Sequence, residues 1–143
     1  MTGAAVSFLE LRIGVGLAAV RVLNDLLEVA MRALGLPGEL RHDLTLGVAE
    51  LVANVCEHER GGRDGQVDVR LDVRDEEVRV TVLSSGEPFD LEGAIARAQA
   101  RDPLDDEGDG GRGLLLLVGL FDEVRLDRDA DRNRITLRRQ RTA

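Results

Sequence analysis

Between Gln66 and Val82 two runs place a branched aliphatic residue at every second position: Val67, Val69, Leu71 and Val73, then Val78, Val80 and Val82. A period of two puts each set on one face of an extended chain, so the segment reads as two strands, and the acidic pair Asp75 and Glu76 between them makes a hairpin the simplest connection. Two segments of helical period precede it. From Val15 to Leu34 the apolar positions Leu17, Val20, Leu23, Leu27, Ala30 and Leu34 recur at spacings of three and four. From Glu39 to about Glu59, Leu40, Leu44, Val48, Leu51, Val52 and Val55 form a second apolar stripe, with Gly35, Pro37 and Gly38 punctuating the chain between the two helices.

The remaining segments are shorter. Val6 to Ile13 alternates weakly, as an edge strand does. After the hairpin, Ser84, Ser85, Gly86 and Pro88 read as a loop leading to a short helix, Leu91 to Arg101. An acidic, glycine-bearing stretch from Asp102 to Gly113 follows, then a helix from Leu114 to Phe121 and two strands, Val124 to Asp127 and Arg134 to Arg138, joined by a polar turn. This order is not the strict alternation of a doubly wound sheet. It predicts an α+β two-layer sandwich: a mostly antiparallel mixed sheet with helices gathered on one face. A chain of 143 residues fits one domain over its whole length, 1–143.

Composition removes several chemistries. All 19 basic residues are Arg, so a P-loop, a kinase strand lysine and a Schiff base are excluded. One Cys (Cys56) and two His (His42 and His58) cannot build a structural four-ligand zinc site from Cys and His alone, nor a His-rich catalytic one, and no internal disulfide can form. A net charge of -8 and the absence of Trp and Tyr oppose nucleic-acid binding. The longest apolar run, Gly113 to Phe121, is nine residues, well short of the roughly 20 that cross a bilayer. No signal peptide is read at the N-terminus, so a soluble, cytoplasmic protein without direct nucleic-acid or membrane partners is expected.

Three segments carry candidate chemistry. In AELVANVCEHE, Glu50, Asn54 and His58 are spaced by four, and each step of four turns the side chain by only about 40°, so the three share one stripe of a helix. A polar flank touching solvent is the alternative reading. Cys56 reads as a small buried hydrophobe and His42 as exposed. In GDGGRGLLLLVGL, Gly108, Gly110, Gly111 and Gly113 run into a helix whose first amides suit an anion, and Arg112 adds a positive charge; a plain flexible turn has the same look. In LSSGEPFD, Gly86 permits unusual backbone angles and Phe89 can cover a flat ligand, as an ordinary turn also allows.

Taken in this order, the three segments resemble the N, G1 and G2 boxes of the ATPase and kinase superfamily that includes gyrase, MutL and the histidine kinases. The size, the absence of a phosphoacceptor hairpin and the short lid resemble most the bacterial anti-sigma factor serine kinases of the RsbW and SpoIIAB type. Glu50, Asn54 and His58 match the N box, and Gly111, Arg112, Gly113 and Leu114 match the Gly-any-Gly-Leu core of G2. One departure stands at G1: Ser84 occupies the position where the family carries the Asp that accepts the adenine amino group, two residues ahead of Gly86. A hydroxyl accepts the same bond without charge, at an expected cost of about ten- to a hundred-fold in affinity.

The resemblance implies a Bergerat-type fold, ATP and Mg2+ as cofactors, and a lid over about residues 90–112. It implies that Asn54 ligates Mg2+ and that Glu50 is the general base toward a serine hydroxyl. It places His58, Ser84, Gly86, Phe89, Gly111, Arg112, Gly113 and Leu114 around the nucleotide. The implied partners are a sigma factor, a STAS-domain antagonist and a second copy of the chain. A non-catalytic partner-switch module with an eroded nucleotide site is the alternative, motivated by Ser84, and a detached histidine-kinase catalytic domain is a third reading.

Overall fold

The computed structural model of the chain describes residues 7–14, 16–58, 65–86, 88, 90–100 and 110–141. Its elements, in chain order, are β1 (Ser7–Gly14), α1 (Leu17–Ala33), α2 (Gly38–His58), β2 (Gln66–Val73), β3 (Glu77–Ser85), α3 (Leu91–Ala100), α4 (Gly110–Leu120), β4 (Glu123–Asp129) and β5 (Arg132–Gln140). The strands form one sheet in the order β1-β2-β3-β5-β4, and all four pairings are antiparallel. The expected α+β architecture is therefore present, with β1 and β4 at the edges.

The alternation read from the sequence sets the register. Val67, Val69, Leu71 and Val73 on β2 lie opposite Ser84, Val82, Val80 and Val78 on β3, and these last three valines lie opposite Ile135, Leu137 and Arg139 on β5. The aliphatic members are all buried, and they meet Val20, Leu23, Leu27 and Met31 of α1 and Leu40, Leu44, Val48, Leu51 and Val52 of α2 in one cluster. Helix formation here is driven by covering that sheet face more than by intrinsic propensity. The helical hairpin turns at Gly35, whose φ of +79° lies in the left-handed region that only glycine enters without cost.

Strands β4 and β5 run one or two residues further at each end than their sequence patterns, and two elements nearer the candidate site also start or end beyond theirs. Strand β3 continues through Ser84 and Ser85, which the sequence assigns to a loop, because β5 offers partners for both, Asn133 and Arg132. A ladder available on one side overrides the turn preference of serine. Helix α4 begins at Gly110, so Gly110, Gly111 and Gly113 belong to its first turn and not to a loop before it.

The other face of the sheet is a lattice of ion pairs. Asp68 on β2 receives Arg12 Nε from β1 at 2.7 Å and Arg132 Nη2 from β5 at 2.7 Å, while Arg70 reaches Glu10 at 2.7 Å. The hydrogen bond from Arg12 holds the Asp68 carboxyl below its ordinary range, against the opposing effect of partial burial, with Arg132 adding to the lowering. A lowered carboxylate value contributes stability above its unfolded value and loses it as the pH falls through the folded one. Asp68→Asn is therefore expected to melt below the parent protein at neutral pH and to show a flatter decline in melting temperature below about pH 4. Parallel acid limbs for the two proteins would contradict this.

Candidate functional site

Helix α2 serves two purposes. Leu44, Val48, Leu51 and Val52 anchor it in the core, and the neighbouring stripe presents Glu50 and Asn54, both half-buried, to the start of α4. Gly113, in the first turn of α4, is buried against them. A Cβ added there would stand 2.9 Å from Glu50 Oε2 and 3.2 Å from Asn54 Nδ2. A larger residue there would force the ends of the Glu50 and Asn54 side chains to shift, so glycine leaves this arrangement of carboxylate and amide undisturbed.

The far end of the same helix pair is fixed independently. Phe121, just past α4, packs on Gly47 of α2, so the two helices run antiparallel with Gly113 beside Glu50 and Asn54 and Phe121 one turn earlier along α2. Arg139 of β5 closes this end: its Nη1 donates to Leu120 O at 2.7 Å and pairs with Asp43 Oδ2 at 3.1 Å. Core packing and a charge-assisted tie thus set where the first turn of α4 meets Glu50.

Of the residues singled out in the sequence, Glu50, Asn54 and Gly113 are brought together, and Leu114 is half-buried against the core behind them. His58 ends α2, and Gly111 and Arg112 lie in the first turn of α4, with their side chains outside the described part. Phe89 and the acidic stretch 101–109 lie outside the described residues, and with them much of the expected lid. Cys56 is half-buried against the core, and His42 is exposed.

Ser84 and Gly86 sit together at the end of β3. Ser84 is buried between Val67 and Asn133 of the neighbouring strands, and Gly86 has a φ of +145° and accepts Arg128 Nη1 on its carbonyl at 2.7 Å. The sequence reading passed over Asn133. Its signal was available: Asn133 is in phase with Ile135 and Leu137, so an amide occupies a core-facing position of an otherwise apolar alternation.

The donor set suits a hard, weakly dehydrated cation such as Mg2+. A half-turn of the Asn54 amide exchanges Nδ2 for Oδ1, an oxygen ligand of the kind Mg2+ prefers, and Mg2+ commonly takes one or two protein oxygens together with phosphate oxygens and water. Among the described residues no group of three or more His, Cys, Asp or Glu side chains could hold a metal. A depression of about 380 Å³ on the open sheet face is lined by Glu10, Arg12, Asp68, Arg70, Thr81 and Leu83, and its charges neutralise one another. No helix among the described residues is long and apolar enough to cross a membrane.

The histidine kinase-like ATPase domain family matches residues 15–139. The chain is 34% identical over 105 residues to the serine-protein kinase RsbW of Listeria monocytogenes, a match that takes in 68% of this chain and 64% of that protein. The chain thus spans just under two thirds of that relative's length. Among solved structures, the RsbU and RsbW domains of Rv1364c from Mycobacterium tuberculosis superimpose with a TM-score of 0.69 at 20% identity, over 96% of this chain and 34% of that one. The SiaB-SiaC complex from Pseudomonas aeruginosa superimposes with a TM-score of 0.65 at 18% identity, over 93% of this chain and 89% of the matched one. At such identities the two superpositions speak to the fold.

Proposed function

We propose that this chain, which belongs to the histidine kinase-like ATPase domain family, binds Mg-ATP between α2 and α4 and transfers its terminal phosphoryl group to a serine of a partner protein. The observation that carries this reading is the contact of Gly113 with Glu50 and Asn54. Phosphoryl transfer asks a protein chiefly to position the reactants and to balance charge. The first-turn amides of α4, from Gly110 to Gly113, lack helical partners and face an anion with a favourable dipole. Arg112, in the same turn, supplies a positive charge. Asn54 holds the cation, which neutralises phosphate charge when bound. Glu50 accepts the proton of the incoming serine hydroxyl, a task that requires hydrogen-bond reach to that oxygen.

The likeness to serine-protein kinase RsbW supports transfer to serine; the finer reading, which rests on the resemblance of the three sequence segments, is an anti-sigma factor that holds a sigma factor and phosphorylates a STAS-type antagonist, acting as a homodimer in the cytoplasm. Calorimetry with Mg-ATP tests the nucleotide step. The parent chain is expected to bind, and Gly113→Ala is expected to bind at least about tenfold more weakly, because the new methyl meets Glu50 and narrows the approach of phosphate to the amides. Undetectable binding by the parent chain would favour the second reading, a partner-switch module without catalysis, whose motivation is Ser84 in the place of a carboxylate. Incubation with labelled ATP and a co-purified antagonist then tests transfer.

A further inference from the structure

At the centre of the open sheet face, Thr81 on β3 and Thr136 on β5 lie directly opposite each other, and Thr136 is only 6% exposed. Arg70 of β2 stands beside Thr81, and Arg125 of β4 stands beside Thr136. Two residues along the ladder on the same face, Arg79 and Arg138 oppose each other, and two residues the other way Arg134 opposes Leu83. Five guanidinium groups thus surround two hydroxyls. The carboxylates stand further out: Asp72 and Glu123 flank the row of Arg79 and Arg138, Asp68 and Asp127 flank the row of Leu83 and Arg134, and Glu77 lies beyond Arg79.

The outer arginines are engaged by acids: Arg70 with Asp72 and Glu10, Arg125 with Asp127, and Arg134 with Asp129. The two central ones are not matched in this way. Paired positions on adjacent antiparallel strands lie only about 5 Å apart, and like charges placed there repel. Arg79 donates through Nη2 to Glu77 at 3.2 and 3.4 Å, while its Nε is buried with no hydrogen-bond partner. Arg138 donates no hydrogen bond among the described residues, and its Nε stands 4.0 Å from Glu123 Oε2. A guanidinium carries five N–H donors, and a buried donor left unpaired is costly. A tetrahedral oxyanion over the threonine pair would accept from both guanidinium groups and both hydroxyls and would cancel the repulsion. The depression of about 380 Å³ shares Arg70 and Thr81 with this centre, so a small ligand has room beside it.

We propose that Arg79, Arg138, Thr81 and Thr136 form a binding site for a small phosphate-class oxyanion, either the free ion or the phosphoryl group of a phosphomonoester. The site lies on the sheet face turned away from the helices, so it is separate from Glu50, Asn54 and Gly113 and does not depend on the nucleotide-binding reading.

The test is calorimetric titration of the full chain with inorganic phosphate at constant ionic strength, with chloride as the replaced anion. The parent chain is expected to bind phosphate with a Kd at or below about 1 mM, and Arg79→Gln and Arg138→Gln each to bind at least about tenfold more weakly. Gly113→Ala, which disturbs the first turn of α4 on the other side of the sheet, is expected to stay within about twofold of the parent. Melting supplies a readout that a loss of folding would not produce. Without phosphate, Arg138→Gln is expected to melt at or above the parent because Arg79 no longer faces a like charge, whereas added phosphate raises the melting temperature of the parent and not of the variant. Should Arg79→Gln fail to fold because Glu77 loses its partner, Arg138→Gln, which breaks no hydrogen bond among the described residues, carries the test. Titration with glycerol 3-phosphate separates the two sources: tighter binding than inorganic phosphate marks a phosphomonoester, weaker binding marks the free ion, and either supports the site. The inference is overturned if the parent binds phosphate no more tightly than chloride, or if Arg138→Gln binds it as the parent does. It is also overturned if Gly113→Ala abolishes the binding, which would assign the anion to α4.

Discussion

Glu50→Gln is expected to slow phosphoryl transfer by about a thousandfold while leaving Mg-ATP affinity within about threefold of the parent chain. Gln has the shape of Glu and keeps the packing beside Gly113, where Oε2 lies 2.9 Å from the position a Cβ would take, so the helix contact survives. What disappears is the proton acceptor. General-base assistance typically contributes between about 10²- and 10⁴-fold, and the middle of that range is the expectation here. The measurement is a single-turnover transfer assay at saturating Mg-ATP beside calorimetric binding of the nucleotide. An unchanged transfer rate would show that another group receives the serine proton. Loss of binding together with transfer would make Glu50 a nucleotide ligand.

Gly47→Val carries the largest expected effect on stability. A Cβ at position 47 would meet Cε2 and Cζ of Phe121, the latter at 2.9 Å, and the ring is itself buried at 7% exposure. Replacing a helical glycine removes backbone freedom from the unfolded chain and on that account alone would stabilise. Here the overlap outweighs the gain, since Phe121 cannot retreat without disturbing the Leu120 carbonyl held by Arg139. A loss of about 3 kcal/mol is expected, or a fall in melting temperature of roughly 10 °C for a chain of this size. Gly47→Ala should show a smaller loss in the same direction. A melting temperature equal to the parent's in both variants would mean that the α2–α4 contact repacks freely.

Where period and burial coincide, the architecture was legible in the residues. The alternating valines of β2 and β3 and the apolar stripes of α1 and α2 each satisfy one buried face, so pattern and position agree. Glu50 and Asn54 were legible for the same reason, because a spacing of four places them on one side of α2 whatever α2 packs against. The end of β3 was not, since Ser84 and Ser85 carry turn chemistry and only the presence of β5 draws them into a ladder. The start of α4 was missed because glycines oppose helix by propensity, and only at Gly113 does the structure supply a reason for one, the nearness of Glu50 and Asn54. The opposition of Arg79 and Arg138 depends on β5 lying between β3 and β4, a strand order that no local pattern encodes. Val22, Leu26 and Val29 show the converse: apolar residues on α1 that remain exposed, at 55%, 45% and 66%.

The insertion of β5 between β3 and β4 also dictates when the chain can finish folding. The β3–β5 ladder joins segments about fifty residues apart, so closing the middle of the sheet requires a long loop to be gathered before any contact rewards it. On a ribosome the hairpin of β2 and β3 and the helices ahead of it are made first, yet one flank of β3 stays unpaired until Gln140 has been synthesised. During that interval an aliphatic strand edge is available for mispairing with other nascent chains. Slow translation across residues 86–131 would lengthen that exposure, and rapid completion of the last strand protects the newborn protein from aggregation.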